Sequence, residues 1–319
     1  MIHIGILGCA SIAERAFIPA ILKLPEQFRL AGVASRAPEK ANRLAKRFAC
    51  RAYPGYEHLI ADASVDAIYI PLPTGLHLEW VCRALAAGKH VYVEKSAAAS
   101  LSEAETMVSA ATTADRALME GYMFQYHRQH RQLKAILSAG VIGDVRHFAS
   151  AFGFPPLPSE NFRYNPKLGG GVLLDAAGYP LRAAHLLLER DLVVQAATLH
   201  RNANGVGIYG SAFLSAGDGL GASLAFGFDN GYQCFYQVWG SKGRITANKA
   251  FTSRPEQTPT FTLETDSGVE TIEAEADDHF VGALRAFHRA VHDTTESQRL
   301  SAELLEQSRA LADIEALSR

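Results

Sequence analysis

The sequence predicts an α/β protein in two parts: a doubly wound parallel sheet over residues 1–120, then an α+β half over residues 121–319 built on a large, mostly antiparallel open sheet. Three observations carry this. Through residue 120, short apolar runs alternate with runs of helical length, the pattern of parallel strands joined by helices. Beyond it, period-two alternation dominates, which implies an antiparallel sheet with one covered face. The chain has 319 residues, 48% hydrophobic and 20% charged, enough for two buried cores at ordinary globular composition.

Element by element, IHIGILG is the first strand, and it begins at once. IAERAFIPAILKL reads as a helix that Pro19 bends or stops early. FRLAGVAS is a strand, and PEKANRLAKRFA an amphipathic helix with Pro38 in its first turn, where a missing N–H costs little. YPGYEHLI is a turn and short helix, VDAIYIPLP a strand, LHLEWVCRALAAG a helix stopped by Gly88. HVYVEK, LSEAETMVSAATTAD and RALMEGYMF continue as strand, helix and strand. RQLKAILSAG then gives a helix ending at Gly140. Eight strand-like stretches follow from DVRHFASAFGF to VETIEA, interrupted by a helix within residues 171–189. Helices at about 278–290 and 298–315 close the chain, the last of them a candidate to pack back on the first domain. Pro155, Pro156 and Pro158 mark a loop.

Net charge is near -2 and the pI about 6.6, so no basic field argues for nucleic acid. No run of 18 apolar residues spans a membrane, and the N-terminus lacks the basic region of a signal peptide, so a cytoplasmic protein is expected. Cys9, Cys50, Cys82 and Cys234 fit no zinc spacing, Cys9 and Cys82 read as buried thiols, and no metal is expected.

The chemistry-bearing residues lie at strand ends. Gly8-Cys9-Ala10-Ser11-Ile12-Ala13 follows the first strand and opens a helix. A dinucleotide fold wants GxGxxG or GxGxxA there, so that the chain turns tightly, approaches a pyrophosphate and packs helix on strand. Gly8 and Ala13 fit, and Ala10 stands at the middle site. At the second strand's end, Ser35 and Arg36 stand where an acid would hold the ribose hydroxyls of NAD. With Lys40 they suit a 2′-phosphate, which predicts NADP(H). Pro71, Leu72 and Pro73 end the third strand on the ligand side of a parallel sheet, as a wall for the nicotinamide. His77 follows, as a cofactor neighbour, a helix cap or a packed residue. Glu94 and Lys95 end the fourth strand, where a cation can bond the ribose and the reacting oxygen.

These segments, with IPLPTGLHLEWVCRALAAGKHVYVEK, LKAILSAGVIGDVR and GGGVLLDAAGYP, make the chain resemble the glucose–fructose oxidoreductase / inositol dehydrogenase / rhizopine catabolism family over nearly its whole length. The resemblance implies a Rossmann domain followed by a substrate domain. It also implies nicotinamide-dependent oxidoreduction with Lys95 as the active-site lysine. Where many members have a histidine four residues after the second-domain aspartate, this chain has Tyr179. YHRQH, NFRYNP, GYPLRAA and GYQCFYQVWGSKGRIT look most like the 3-ketoreductases of deoxysugar biosynthesis, which reduce nucleotide-linked 3-keto-6-deoxyhexoses with NADPH. In those enzymes the matching tyrosine is the expected proton donor. The family usually writes Glu-Lys-Pro, often with a cis bond before the proline. Here Ser96 follows Lys95, so either the loop keeps that geometry or the lysine is placed differently.

Carbonyl reduction needs a hydride from the cofactor and a proton from the protein. A lysine cation near Tyr179 would ease release of the phenol proton. Pro180 disfavours the α region at Tyr179, which predicts a bend or helix start with the ring aimed outward; the alternative is a ring packed between helix and sheet. Asp175, one turn upstream, is expected to orient a substrate hydroxyl or to serve as a structural partner. Arg163, Tyr164 and Asn165 are candidates to hold a diphosphate and stack on a base or sugar. His127 and His130 show no metal pattern. The rival expectations are a dehydrogenase of free sugars or trans-dihydrodiols using the same pair, and a binding protein without turnover. Alternating strands with aromatic outer faces predict a homodimer or homotetramer.

Overall fold

The computed structural model describes residues 1–318 and divides the chain into two compact units: Met1–Gly121 with Phe280–Ser308, and Tyr122–His279 with the segment from Arg309 onward.

In the first unit, six strands form one parallel sheet: β1 (Ile2–Leu7), β2 (Phe28–Ala34), β3 (Arg51–Tyr53), β4 (Ala67–Ile70), β5 (His90–Val93) and β6 (Leu118–Glu120). Their order is β3-β2-β1-β4-β5-β6, the doubly wound arrangement the alternating runs predict. Strands β1, β4 and β5 are buried almost throughout, as helices on both faces require. The first helical run opens with a π-type turn, Ala13–Phe17, and continues as α1 (Ile18–Leu22), with Pro19 in the first turn of α1. The run is helical from Ser11, so Pro19 lies inside it, and the π-type turn just before it loosens the ladder where the proline cannot donate. Helix α2 (Pro38–Phe48) starts on its proline, and α3 (Tyr56–Ala61) is short. Helix α4 (His77–Ala86) is followed by Gly88 at φ +75°, and α5 (Leu101–Ala114) is capped by the Ser100 side chain on Glu103 N–H. Tyr69 stacks on Phe17 at 3.5 Å between ring centroids, and Tyr92 meets both edge-on.

The second unit is built on an eight-stranded sheet of β7 (Val145–Gly153), β8 (Val193–Arg201), β9 (Gly207–Ser215), β10 (Gly221–Gly227), β11 (Gln233–Gly240), β12 (Gly243–Asn248), β13 (Thr260–Thr265) and β14 (Gly268–Glu273). The order is β14-β13-β12-β11-β7-β10-β9-β8, antiparallel except where β10 runs parallel to β7. Helix α6 (Arg128–Ser138) precedes the sheet, and between β7 and β8 stand a π-type turn (Leu173–Ala177) and α7 (Gly178–Leu188). Residues 178–185 of α7 are all buried, and the helix packs with Phe148, Phe152, Leu224 and Phe226 from the inner face of the sheet. On the other face the register sets Phe213, Ser223, Ala149 and Gln237 in one row, and Tyr209, Phe213 and Trp239 are exposed.

Helices α8 (His279–His292) and α9 (Thr294–Leu317) close the chain. Among the described residues no helix is long and apolar enough to cross a membrane, and no group of three or more His, Cys, Asp or Glu can hold a metal ion. Cys9 and Cys82 are half-buried, where full burial was expected, and Cys234 is the buried cysteine.

Candidate active site

In the first unit the sheet order brings the carboxyl ends of β1, β4, β5 and β6 side by side: Gly8, Pro71–Pro73, Glu94–Lys95 and Glu120. Gly8 has φ +122°, and a Cβ there would lie 2.8 Å from Leu72 Cδ2. Only glycine suits that backbone and that space. Ala10 at the middle site does not break the turn, since its carbonyl accepts from Glu14 N–H at 3.3 Å as the helical run begins. Ser11 is exposed and Ile12 half-buried on the same run. A glycine held by close packing at a strand-to-helix turn, with helix amides beyond it, fits a dinucleotide pyrophosphate.

At the end of β2, Ser35 is buried and its Oγ accepts from Ala37 N–H at 3.1 Å. Arg36 and Lys40 are exposed, and the Arg36 charge partly offsets the upward push of burial on the Tyr56 phenol. Arg43, which the sequence did not single out, grips Glu14 with both terminal nitrogens at 2.8 Å, and Arg47 adds a third bond at 2.5 Å. The Arg43 bonds chiefly hold the Glu14 carboxyl down at about 2. The Cys9 thiol is pushed up by burial, against bonding from Ser35 and the positive charges of Arg43 and Lys40. The turn after β1 therefore sits in a basic neighbourhood, and the chemistry of these side chains suits a 2′-phosphate.

Glu94 accepts from the Tyr69 hydroxyl at 2.5 Å. The Lys95–Ser96 peptide bond is cis, so the loop keeps the geometry that was one of the two expected outcomes. His77 is fully buried, with Nε2 2.7 Å from Leu72 O and Nδ1 3.1 and 3.0 Å from Ser96 O and Ala97 O. Burial pushes its pKa down to about 4 against the pull of those carbonyls, and the Lys95 charge adds to the fall. A neutral ring has one N–H to donate, to one side or the other. Its nitrogens meet main chain, so His77 is a packed residue that braces the loops after β4 and β5, one of the three roles expected of it. Glu120, 8% exposed, accepts Ala97 N–H on Oε1 at 2.8 Å. Glu120 ends an apolar strand as Glu94 does, and that charge is the signal by which the sequence marks it.

In the second unit Tyr179 is the second residue of α7, but α7 continues a helical run that begins at Val172. The π-type turn just upstream loosens the ladder where Pro180 cannot donate. Tyr179 thus lies inside a helix and not at the bend or helix start that Pro180 argued for. Its ring does not aim outward. It is 7% exposed, with Phe152, Tyr122, Phe251 and Phe124 at centroid distances of 4.7, 5.6, 5.6 and 5.8 Å. The packed alternative therefore describes the ring: an amphipathic tyrosine gains most by burying its aromatic body. Asp175 lies on the π-type turn just upstream, and its Oδ2 accepts from Arg163 Nε at 2.6 Å. Arg163, expected to hold a diphosphate, thus has a carboxylate partner within its own unit. The Tyr164 hydroxyl accepts from Leu157 N–H at 3.1 Å, tying the proline-rich loop, and its ring meets Phe228 edge-on. Asn165 caps the short turn Pro166–Leu168 through Lys167 N–H at 3.0 Å. A Cβ at Gly170 would lie 2.5 Å from Arg163 O and 2.7 Å from Asn165 O, so the glycine run lets the loop close on itself. His127 and His130 are buried, and His130 Nδ1 lies 2.8 Å from the Tyr236 hydroxyl.

The six-stranded sheet with its glycine turn, followed by a sheet domain carrying an aspartate–tyrosine helix head, defines a dinucleotide-dependent oxidoreductase. The chain belongs to the GFO/IDH/MocA oxidoreductase family: its NAD-binding Rossmann fold matches residues 2–122 and its C-terminal domain residues 130–246. It is 40% identical over 295 residues, 92% of this chain and 89% of the relative, to dTDP-3,4-didehydro-2,6-dideoxy-α-D-glucose 3-reductase of Saccharopolyspora spinosa. It is 35% identical over 301 residues, 94% of this chain and 91% of the relative, to D-xylose 1-dehydrogenase (NADP(+)) 2 of Haloferax volcanii. A solved 3-ketoreductase from Actinomadura kijaniata, in complex with NADP and TDP-benzene, superposes with a TM-score of 0.95 at 38% identity, covering 100% of this chain and 98% of that one. Solved variants of that enzyme replace a tyrosine by phenylalanine and a lysine by alanine.

Proposed function

We propose that this protein is an NADPH-dependent 3-ketoreductase of a nucleotide-linked deoxyhexose. The observation that carries the reading is similarity at 36–40% identity over 91–96% of the chain to four dTDP-sugar 3-reductases. When bound, the nicotinamide supplies the hydride. Gly8, Cys9, Ala10, Ser11 and Ile12 hold the pyrophosphate, Ser35, Arg36 and Lys40 the 2′-phosphate, and Pro71–Pro73 with Glu94 flank the nicotinamide side. Tyr179 gives its proton to the carbonyl oxygen of the substrate. Lys95 stabilises the charge that develops on that oxygen and eases proton release from the phenol. Asp175, with Arg163, Tyr164 and Asn165, shapes the sugar-nucleotide site.

The test is NADPH consumption with a dTDP-linked 3-keto-deoxyhexose against free D-xylose with NADP. The first substrate alone should turn over at a substantial rate. Preference for the free sugar would favour the second reading, a sugar dehydrogenase, which the Haloferax relative supports. Tight NADPH binding with no turnover of either would favour a binding protein.

We also propose a homodimer or homotetramer joined through the outer face of the eight-stranded sheet, where Val193, Tyr209, Phe213 and Trp239 are 59%, 45%, 41% and 58% exposed. The four cysteines are free thiols, which suits a cytoplasmic location.

A further inference from the structure

We propose that His77 and Glu120 are positioning residues for Lys95, clamping from two sides the turn that carries it. The proposal rests on the role given to Lys95 above. After β5 the ladder ends with Glu94 N–H on Ile70 O and the α5 cap begins at Ala99 and Ser100, so residues 95–98 are fixed by neither ladder nor helix. Ala97, Ala98 and Ala99 have only a methyl group with which to anchor themselves, and Ser96 has no ring to fix its φ. Yet Ser96, Ala97 and Ala98 are buried, and buried backbone groups need partners.

The partners come from the elements on either side of β5. His77, the first residue of α4, follows β4 and sets Nδ1 against the carbonyls of Ser96 and Ala97 and Nε2 against the carbonyl of Leu72, its one N–H donating to one side. Glu120, the last residue of β6, stands beside Val93 in the parallel register and takes the Ala97 amide. One buried side chain thus faces the carbonyls of the turn and another its amide. Burying an imidazole and a carboxylate is unfavourable unless the bonds made are worth the desolvation. Here those bonds fix the two residues that follow Lys95. The His77 ring also stands between that turn and Leu72, the residue that packs on Gly8. A lysine that must meet a reacting oxygen loses effect steeply with misplacement: an error of 1 Å can cost about 10² in rate.

The test is a mutant cycle in the full-length enzyme, read as single-turnover reduction of the dTDP-linked 3-keto sugar at saturating NADPH. Glu120→Ala and His77→Asn should each lower the rate by about 10–100-fold, with the NADPH dissociation constant changed by less than about threefold. Glu120→Gln, which keeps an acceptor oxygen, should recover most of the loss. In a Lys95→Ala background the same substitutions should cost less than about twofold, because they act through Lys95. A merely structural role would lower the rate equally in both backgrounds, and that result overturns the proposal, as do single variants within twofold of the parent. Should Glu120→Ala fail to fold, His77→Asn carries the same cycle with the same two outcomes. If Lys95→Ala itself leaves the rate unchanged, the role of Lys95 fails and the clamp with it. If Lys95→Ala is slow and the clamp variants are not, only the clamp fails.

Discussion

Arg163 donates from Nε to Asp175 Oδ2 at 2.6 Å, and the two side chains are 29% and 16% exposed. The pair joins the loop after β7 to the helical run that presents Tyr179. If Asp175 holds the Arg163 guanidinium in the pose that meets the substrate diphosphate, loss of either side chain weakens substrate binding. Asp175→Asn and Arg163→Gln should each raise KM for the sugar nucleotide, and the double variant should be no worse than the weaker single. That corresponds to a coupling of about 1–2 kcal/mol for a half-buried charged bond. Strictly additive effects on KM would show that the two residues act separately.

Cofactor choice turns on Ser35 and Arg36. No carboxylate stands beside them to take ribose hydroxyls, and Arg36 is exposed at the end of β2 with Lys40 one turn into α2. NADPH should bind at least about tenfold more tightly than NADH, a gap of about 1.4 kcal/mol, and Arg36→Ala should remove most of it. Titration of intrinsic fluorescence with each cofactor measures this. Equal affinities in the parent protein would refute the assignment.

Much of this was legible in the sequence because it is local. GYQCFYQVWG alternates, and β11 duly buries Cys234, Tyr236 and Val238 while Trp239 faces out. Gly88 and Gly140, read as helix stops, adopt φ of +75° and +71°. What local pattern could not show is pairing at a distance. The parallel match of β10 to β7 joins Gly221 to His147 across most of the second unit, and no run of residues announces it. His77 became a brace only because residues 72 and 96–97 come together in space. Tyr179 was expected to aim outward because Pro180 argues about backbone alone. The ring's position was decided by Phe152, Phe251, Phe124 and Tyr122, which arrive from other segments.

Buried histidines should make the fold acid-sensitive. His130 and His77 are fully buried, and burial pushes them down to about 3 and about 4. An unfolded histidine titrates near 6.5. The folded state therefore binds fewer protons than the unfolded state between those values. The stabilisation is complete above about pH 6.5 and is lost as pH falls towards 4, each group contributing at most about 1.4 kcal/mol per pH unit in that window. Thermal midpoints should be flat from pH 8 to 7 and fall from pH 6 to 5. A His130→Asn variant should start lower, having lost its bond to Tyr236, yet fall less steeply. Parallel slopes for the two proteins would clear His130 of the effect.

The outer face of the sheet gives a simple test of assembly. Sedimentation at micromolar concentration should find a dimer or tetramer, and Phe213→Asp with Trp239→Asp should shift it towards monomer, since a desolvated carboxylate opposes burial of that face. A parent protein that sediments as a monomer would mean that the exposed aromatics serve something else.

Tyr179 is where packing and chemistry can be separated. Its ring is held by four aromatic neighbours, all of which Tyr179→Phe preserves. That variant should melt within a few degrees of the parent and bind NADPH as before, yet lose about 10²–10⁴ in turnover, the usual worth of a positioned proton donor. Tyr179→Ala should instead destabilise the second unit by about 3–5 kcal/mol, because it empties a buried aromatic site. Lys95→Ala should slow turnover at least as much as Tyr179→Phe, by removing a cation that favours charge on the reacting oxygen. The two residues serve one transition state, so the double variant should lose less than the product of the single losses. Near-normal turnover in Tyr179→Phe, with a primary deuterium isotope effect from labelled NADPH showing that hydride transfer limits the rate, would remove Tyr179 as the donor. His185, two turns further along α7 and buried, would then be the first side chain to replace.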